Sequence, residues 1–146
     1  LGNLFDNKDD EILKLQKIIE KQIINYREIY KDSEDLFIKN WPIKSNFRGW
    51  YVKLVKQGHQ KSHIHPTGWL SGVFYLKVPK FLNKNEGAIE FTLYGYDYPN
   101  YKNLPNLIHK PKIFDIALFP SSLFHRTIPF SSQEDRQVIA FDLVPK

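Results

Sequence analysis

The spacing of apolar residues divides the chain into an N-terminal helical part and a longer part with the alternation of β-strands. Between Asn7 and Tyr30, apolar side chains recur every three or four positions, with lysines and glutamates between them. That spacing is typical of an amphipathic helix. Asp10 and Glu11 place negative charge in its first turn, where the helix dipole favours it. We therefore predict a helix over residues 7–30 that packs against a sheet.

The chain after this helix is predicted to be a short second helix followed by a succession of strands. The second helix covers Ser33 to Lys39 and is ended by Trp41-Pro42. From Asn46 onward the apolar period is two, and the apolar segments are short, aromatic and separated by Gly, Pro, Asn and Ser. The predicted strands are Gly49–Lys56, Gln60–His65, Trp69–Val78, Ala88–Leu93, Phe114–Phe119, His125–Phe130 and Gln137–Val144.

This succession of strands is typical of an all-β sandwich or barrel. Several strands are apolar on both faces, as in Val73-Phe74-Tyr75-Leu76. One face should line the barrel interior and the other should lie under the N-terminal helix. We predict a mainly β fold with N-terminal helices (α+β) in one domain over residues 1–146. Residues 1–40 form the helical buttress and residues 46–146 form the barrel.

Tyr94 to Lys112 is the main stretch without a regular pattern, and it is rich in tyrosine and proline. A segment of this length inside a compact domain is usually functional or mobile. Two interpretations stay open. The stretch is either a lid that faces a substrate or an ordered surface excursion held by its own tyrosines.

The composition excludes several classes of function. The chain has no cysteine, which excludes disulfides, thiolate ligands and a cysteine nucleophile. Its net charge of +5 comes from lysines scattered along the chain, so nucleic acid is not indicated as a partner. No apolar run is long enough to cross a bilayer and no signal peptide is recognised, so we expect a cytoplasmic protein. The chain starts at Leu1 rather than at a methionine, which leaves open whether it is one domain of a longer protein.

The candidate chemistry is centred on His63 and His65, which are two positions apart in a predicted strand. Alternate side chains of a strand point to the same face, so both imidazoles should point toward one place. Two neutral imidazoles that converge form part of a metal site. The turn residues before His125 would direct a later strand back toward the barrel, so His125 could complete the site. Arg126 would then face away from it.

In their order along the chain, these residues resemble a known family. The resemblance covers about residues 50–144 and consists of His63-x-His65, Leu70 to Pro79, Gly87 to Phe91, Phe119-Pro120-Ser121 followed by His125, and then Arg136 and Phe141. This pattern resembles the 2-oxoglutarate/Fe(II)-dependent oxygenases, in a His-x-His variant related to the prolyl 4-hydroxylases. The resemblance implies a double-stranded β-helix, or jelly roll, which agrees with the barrel predicted from the strands.

The resemblance also implies an iron site. Related enzymes hold Fe(II) with His-x-Asp/Glu and a distal histidine. His63 matches the first ligand and His125 the distal one, while His65 stands where the carboxylate is expected. The implied ligand set is therefore His63, His65 and His125, which leaves the site with more positive charge than two histidines and a carboxylate. As an alternative, a carboxylate from elsewhere, such as Glu90 or Asp115, would reach the metal.

Two further residues match positions that bind the co-substrate in similar enzymes, and a third could line the same pocket. Arg136 matches the basic residue that pairs with the far carboxylate of 2-oxoglutarate, a role that suits a guanidinium because it is always charged and two-pronged. Tyr75 matches a tyrosine that binds the same carboxylate, and Ser71 shares its strand parity. His59 and His109 are predicted to be surface histidines.

The implied activity is a non-haem Fe(II)- and 2-oxoglutarate-dependent dioxygenase that hydroxylates an unidentified substrate and releases succinate and CO2. Molecular oxygen and that substrate are the expected partners, and a homodimer is allowed. One rival hypothesis is a cupin-type three-histidine metalloprotein without 2-oxoglutarate, although Trp69 and Leu70 occupy the region where cupins place a glutamate. Another is a non-catalytic metal-binding or sensor domain.

Overall fold

The structure is a computed structural model that describes residues 2–80, 83–95, 98 and 103–146. A 3₁₀ turn at Leu4–Asp6 precedes two helices, α1 (Asp10–Ile29) and α2 (Leu36–Lys39). Asp35 caps α2 by accepting a hydrogen bond from the Phe37 amide at 2.8 Å. The strands are β1 (Ser45–Leu54), β2 (Leu70–Lys77), β3 (Ile89–Thr92), β4 (Asn106–His109), β5 (Ile116–Pro120), β6 (Phe124–Thr127) and β7 (Arg136–Pro145).

The strands form two antiparallel sheets. The larger sheet has the order β1-β7-β2-β5 and the smaller one has the order β4-β3-β6. β7 is central in the larger sheet, since it pairs over its whole length with β1 and over most of its length with β2. The two sheets face each other across one interior, and their neighbouring strands are far apart in sequence, as in a double-stranded β-helix. The predicted fold class is therefore confirmed.

Helix α1 covers the outer face of the larger sheet, as its apolar stripe predicts. Ile19 and Ile23 of α1 are buried against Leu70 of β2 and against Ile139 and Phe141 of β7. Burying side chains of this size contributes about 1.5–3 kcal/mol each to folding. The predicted helix over residues 7–30 is therefore present as Asp10–Ile29, and it buttresses the sheet.

The inner faces of the two sheets enclose a second apolar cluster. Val73 and Tyr75 of β2 and Val138 of β7 pack there against Ile89 and Phe91 of β3. Because side chains alternate along a strand, β7 also turns Arg136, Ala140 and Asp142 toward this interior. Strands that are apolar on both faces, as predicted, separate the helix-facing core from the interior that contains the candidate site.

Two strand predictions are wrong in a way that bears on the site. The segment Gln60–His65 is not a strand, and within it only His63 forms a β-bridge, with His125. Conversely, the stretch Tyr94–Lys112 contains β4, which pairs with β3. A lid in the remainder of that stretch stays a prediction, because residues 96, 97 and 99–102 lie outside the described residues.

The strand predicted from Phe114 begins two residues later than expected. Phe114 has a φ of 70°, in the left-handed region that side chains with a Cβ rarely adopt, and β5 starts at Ile116. The backbone turns at this point before it enters the sheet. The periodicity of apolar residues along the sequence does not reveal such a turn.

Candidate metal centre

Three histidines converge at the edge of the barrel interior. One ring nitrogen from each of His63, His65 and His125 lies within 4.8 Å of the corresponding nitrogens of the others. The ring centroids of His63 and His125 are 4.3 Å apart, and that of His65 lies 5.2 Å and 5.1 Å from them. The sequence prediction that these imidazoles meet at one point is therefore confirmed geometrically.

Backbone hydrogen bonds, rather than a continuous strand, bring these histidines together. His63 and His125 exchange both of their backbone hydrogen bonds, each at 3.0 Å. Two residues later, the His65 amide donates to the carbonyl of Ser121 at 2.9 Å. The histidine segment is thus held against β6 and the turn before it at two points, with Ile64 between them. The alternation that was predicted from a strand survives locally.

Each imidazole uses its Nδ1 atom for a hydrogen bond directed away from the cluster. Nδ1 of His63 contacts the Lys61 carbonyl at 2.7 Å, and Nδ1 of His125 contacts the Leu123 carbonyl at 3.0 Å. Nδ1 of His65 contacts a carboxylate oxygen of Asp142 at 2.6 Å. A nitrogen that donates to these acceptors carries the proton, so each Nε2 keeps its lone pair, which is the form that binds a metal.

Burial keeps one of the three rings neutral. The pKa of His125 is lowered to about 4, mainly by burial and further by the neighbouring His63 and His65, against the opposing effect of its hydrogen bond to Leu123. A metal ligand must be deprotonated, so this ring is in its binding form at neutral pH without having to release a proton.

The histidine cluster shares a small cavity with a buried arginine. The cavity has a volume of about 50 Å³. It is lined by the three histidines, Arg136 and the side chains or backbone of Trp50, Gln60, Gly72, Val73, Ile89, Phe119, Val138 and Ala140. Its lining combines polar groups, namely the three imidazoles, Arg136 and Gln60, with an apolar wall.

Arg136 is 1% exposed, and its guanidinium atoms Nε and Nη1 have no hydrogen-bond partner among the described residues. Its guanidinium carbon lies 5.0 Å from the ring centroid of Tyr75, whose buried hydroxyl is likewise without a partner there. Burial lowers the pKa of Arg136 and raises that of Tyr75. A buried charge without a partner is costly, so this pair marks a place suited to an anion.

The remaining predicted residues lie elsewhere. Glu90 binds Arg126 and Asn106, and Asp115 accepts a hydrogen bond from the Lys112 amide, so neither carboxylate belongs to the histidine cluster. Arg126 faces away from the cluster, as predicted. The Ser71 hydroxyl donates to Asp142 at 2.6 Å and lies against Ser121, and its predicted part in co-substrate binding stays a prediction.

The two histidines predicted to lie at the surface differ in their surroundings. His59 is exposed, and its Nδ1 contacts the Gln57 carbonyl. His109 is partly buried on β4, with Nε2 lying 3.4 Å from a carboxylate oxygen of Asp115. Neither ring belongs to the cluster of three.

The comparison of sequences decides the family. The sequence profile of the family described as "Putative 2OG-Fe(II) oxygenase" matches residues 48–142, which is more than half of the chain. The chain belongs to this family. Among curated proteins, none matches the chain.

Solved structures of oxygenases share the fold of this family member. A prolyl-4-hydroxylase from Pseudomonas putida aligns over 69% of this chain and 54% of its own, with a TM-score of 0.55 and 13% identity. A 2OG-Fe(II) oxygenase-family oxidoreductase from Burkholderia pseudomallei aligns over 69% and 46%, with a TM-score of 0.52 and 12% identity. HygX from Streptomyces hygroscopicus, with iron bound, aligns over 73% and 60%, with a TM-score of 0.53 and 13% identity.

This oxygenase-family chain spans about half the length of those structures, between 46% and 60% of each. At such identities the likeness concerns the fold alone. No helix in the described part of the chain is long and apolar enough to cross a membrane.

Sequence reasoning missed Asp142, the acidic side chain that contacts the cluster through His65. The signal was present, because Asp142 is six residues after Arg136 and therefore lies on the same face of the same strand. Most residues between them are apolar, which is typical of a core strand, so Asp142 does not stand out in the sequence.

The lowered pKa of His125 predicts an acid-sensitive fold in the metal-free protein. Between pH 6.5 and pH 4, the unfolded chain protonates this histidine before the native state does. The free energy of unfolding should therefore fall as pH drops through this window, by up to about 3 kcal/mol from this one group. Urea unfolding at a series of pH values, with a chelator present, measures the effect.

His125→Gln removes the titrating ring and should flatten the pH dependence over this window relative to the unmodified protein. His59→Gln, which removes an exposed imidazole, should leave the pH dependence unchanged. An equal slope in the His125→Gln variant and the unmodified protein would contradict the prediction.

Proposed function

We propose that this chain is a non-haem Fe(II)- and 2-oxoglutarate-dependent dioxygenase that hydroxylates an unidentified substrate. The observation that carries the proposal is the sharing of one cavity by three convergent imidazoles and a buried guanidinium whose Nε and Nη1 atoms have no hydrogen-bond partner among the described residues. The imidazoles suit a transition metal, and the guanidinium suits a carboxylate. Membership of the oxygenase family supports iron and 2-oxoglutarate as the pair that occupies these places.

The proposed metal ligands are the Nε2 atoms of His63, His65 and His125. Imidazole suits iron as well as zinc, copper and nickel, so the family rather than the donor set favours iron. The donors fit, because their Nδ1 atoms are engaged outward and the most buried ring is neutral. Three protein ligands leave open positions for exchangeable ligands.

Arg136 is proposed to hold the far carboxylate of 2-oxoglutarate, with the Tyr75 hydroxyl as a second donor. Both groups are buried, and both carry atoms without a partner among the described residues. A carboxylate at this place would give the guanidinium a charge-assisted partner and remove the cost of an isolated buried charge. HygX, which shares the fold, has been crystallised with nickel and 2-oxoglutarate bound.

The cavity is small for such a ligand. At about 50 Å³ it has room for a few water molecules, and 2-oxoglutarate is larger than that. Binding therefore requires side chains of the apolar wall, such as Val73 and Ile89, to move apart. The same tight wall would exclude bulk water from the bound ligand, which strengthens its interaction with Arg136.

The bound Fe(II) and 2-oxoglutarate would supply the oxidative chemistry, in which oxidative decarboxylation to succinate and CO2 is coupled to hydroxylation of a substrate C–H bond. The protein's part is positioning. Arg136 fixes one end of the co-substrate, the histidines fix the reacting end, and the apolar wall keeps water out. The Nδ1 contacts to Lys61 and Leu123 hold two of the rings in place.

The cupin-type alternative is less well supported, because a metal site that works without 2-oxoglutarate gives no role to Arg136. Arg136 lines the histidine cavity and, among the described residues, has buried atoms without a hydrogen-bond partner. A protein that does not bind 2-oxoglutarate could replace this arginine without cost. Binding of 2-oxoglutarate is therefore the property that separates the two proposals.

Succinate formation tests the proposed function. Purified protein supplied with Fe(II), 2-oxoglutarate, ascorbate and air should form succinate slowly even without its substrate, and His63→Ala should abolish it. His59→Ala, which removes an exposed imidazole a few residues upstream, should leave it unchanged. Calorimetry with Ni(II) in place of iron provides the accompanying measurement of 2-oxoglutarate binding. Metal binding without 2-oxoglutarate binding would favour the cupin-type protein, and the lack of any divalent metal binding would contradict both proposals.

A further inference from the structure

We infer that Asp142 is a positioning residue of the metal centre. In this role it orients His65 and supplies the negative charge that a ligand carboxylate would otherwise bring to that position. The inference rests on the proposed function, because it concerns how His65 acts as a metal ligand. Asp142 contacts Nδ1 of His65 and is not itself one of the metal ligands.

The contact between the two residues is short and buried. Oδ1 of Asp142 lies 2.6 Å from Nδ1 of His65, and Asp142 is 7% exposed. A carboxylate only accepts hydrogen bonds, so Nδ1 of His65 carries the proton and Nε2 keeps the lone pair. A carboxylate behind a ligating imidazole fixes the ring's orientation and raises its basicity as a ligand.

The carboxylate is itself held in place by two serines. The Ser71 hydroxyl donates to the same Oδ1 atom at 2.6 Å, and it lies 2.8 Å from the Ser121 hydroxyl. Since Ser71 uses its only proton on Asp142, Ser121 is the donor in the second contact. Both serines are fully buried, so the hydroxyl groups that hold the carboxylate are shielded from solvent.

The backbone fixes this arrangement as firmly as the side chains do. Asp142 and Ser71 are opposite each other in the register of β7 and β2, and β7 is a central strand of the larger sheet. A residue on a paired central strand has little freedom to move. The Nδ1 atoms of His63 and His125 contact backbone carbonyls instead, so among the described residues Asp142 is the carboxylate that contacts the cluster.

The charge argument follows from the residue that stands at position 65. Three neutral imidazoles leave the full positive charge of a divalent ion uncompensated, whereas a ligand carboxylate would cancel part of it. Asp142 returns one negative charge to the same side of the site, separated from the metal by the width of one imidazole. The replacement of a carboxylate by His65 is thus offset within the structure.

Binding of Co(II), an oxygen-stable probe, tests the inference. Asp142→Asn keeps the shape of the side chain and removes its charge, and it should weaken Co(II) binding about 10- to 100-fold. Asp135→Asn is the matched control. Asp135 also lies next to β7 and also accepts from two side chains, Lys77 and Gln137, but it does not contact the histidines. It should bind Co(II) like the unmodified protein.

A readout on the ring itself separates positioning from general damage. In metal-free protein labelled with ¹⁵N-histidine, His65 should show a slowly exchanging Nδ1 proton. Asp142→Ala, which removes the acceptor, should lose that signal while the signals of His63 and His125 persist. Ser71→Ala, which leaves the carboxylate in place, should weaken Co(II) binding less than Asp142→Asn does. Urea unfolding of each metal-free variant shows that the fold is retained.

The outcomes distinguish this inference from the proposed function. If the unmodified protein binds no Co(II), the proposed metal centre is wrong. If it binds Co(II), and a folded Asp142→Asn variant binds with the same affinity and the same visible absorption spectrum, the role of Asp142 is wrong and the metal centre stands. Equal weakening by Asp142→Asn and Asp135→Asn would also overturn the inference, since it would reflect lost negative charge in general.

Discussion

Replacing His125 with alanine is expected to abolish measurable binding of Fe(II) or Co(II) to this protein. The variant removes one of three convergent nitrogen donors, and it removes the most buried of them, which is already neutral at physiological pH. Loss of a ligand should exceed the 10- to 100-fold loss that follows from removing a residue behind a ligand. Isothermal titration with Co(II) measures it directly.

The matched control for this variant is His59→Ala. His59 carries the same side chain, lies just before the cluster in the sequence and is exposed. It should bind Co(II) with unchanged affinity. If His125→Ala bound Co(II) as tightly as the unmodified protein while remaining folded, the three-histidine centre would be refuted.

Replacing Arg136 with methionine is expected to have opposite effects on 2-oxoglutarate affinity and on stability. Loss of a buried charged partner of a carboxylate typically costs about 2–5 kcal/mol or more in binding, so affinity for 2-oxoglutarate should fall by about 30-fold or more. The metal-free, ligand-free protein should become more stable, by about 1–4 kcal/mol, because a buried charge with unpartnered atoms is replaced by an apolar side chain of similar length.

Calorimetry in the presence of Ni(II) measures the first effect, and urea unfolding of the ligand-free protein measures the second. Arg126→Met is the control, because Arg126 is an arginine on another strand that is half-exposed and already paired with Glu90. It should leave 2-oxoglutarate affinity unchanged and should not stabilise the protein. Undiminished 2-oxoglutarate binding by Arg136→Met would show that the co-substrate, if bound, is held elsewhere.

Most of the fold follows from the periodicity of apolar residues. Helix α1 is recovered with its buried face, since Ile19 and Ile23 belong to the stripe that the sequence displays. The central strands β2 and β7 are recovered because they are apolar on both faces and long. Periodicity predicts a sandwich or barrel, whereas the more specific prediction of a double-stranded β-helix depends on the ordered resemblance to the oxygenases.

The errors have physical causes that a single sequence does not display. The segment Gln60–His65 alternates like a strand, but only His63 finds a bridging partner, because pairing depends on a distant segment. β4 was missed because its residues are exposed or half-buried at the edge of a sheet, so its apolar signal is weak. Phe114 adopts a left-handed backbone conformation, and the sequence does not indicate it because the residue is not a glycine.

The candidate site was predicted as a set of residues but not as a network. The convergence of His63, His65 and His125 agrees with the prediction, while the co-substrate role of Arg136 stays a prediction. The part of Asp142 was not foreseen, because it depends on the register that places Ser71 opposite it across two strands far apart in sequence. Register between distant strands is the information that single-sequence reasoning lacks.

The single β-bridge between His63 and His125 has a consequence for local dynamics. Among the described residues, the segment Gln60–His65 is tied to β6 and its turn by the two hydrogen bonds of that bridge, by the Thr127 amide bond to the Gln60 carbonyl and by the His65 amide bond to Ser121. A segment with so few ties opens far more readily than the central strands do. A bound metal would connect the segment to β6 through side chains as well, and opening would then require breaking metal–ligand bonds. The ion would therefore hold the segment against β6. Loss of the metal would expose the cavity to water and proteases before the barrel itself unfolds.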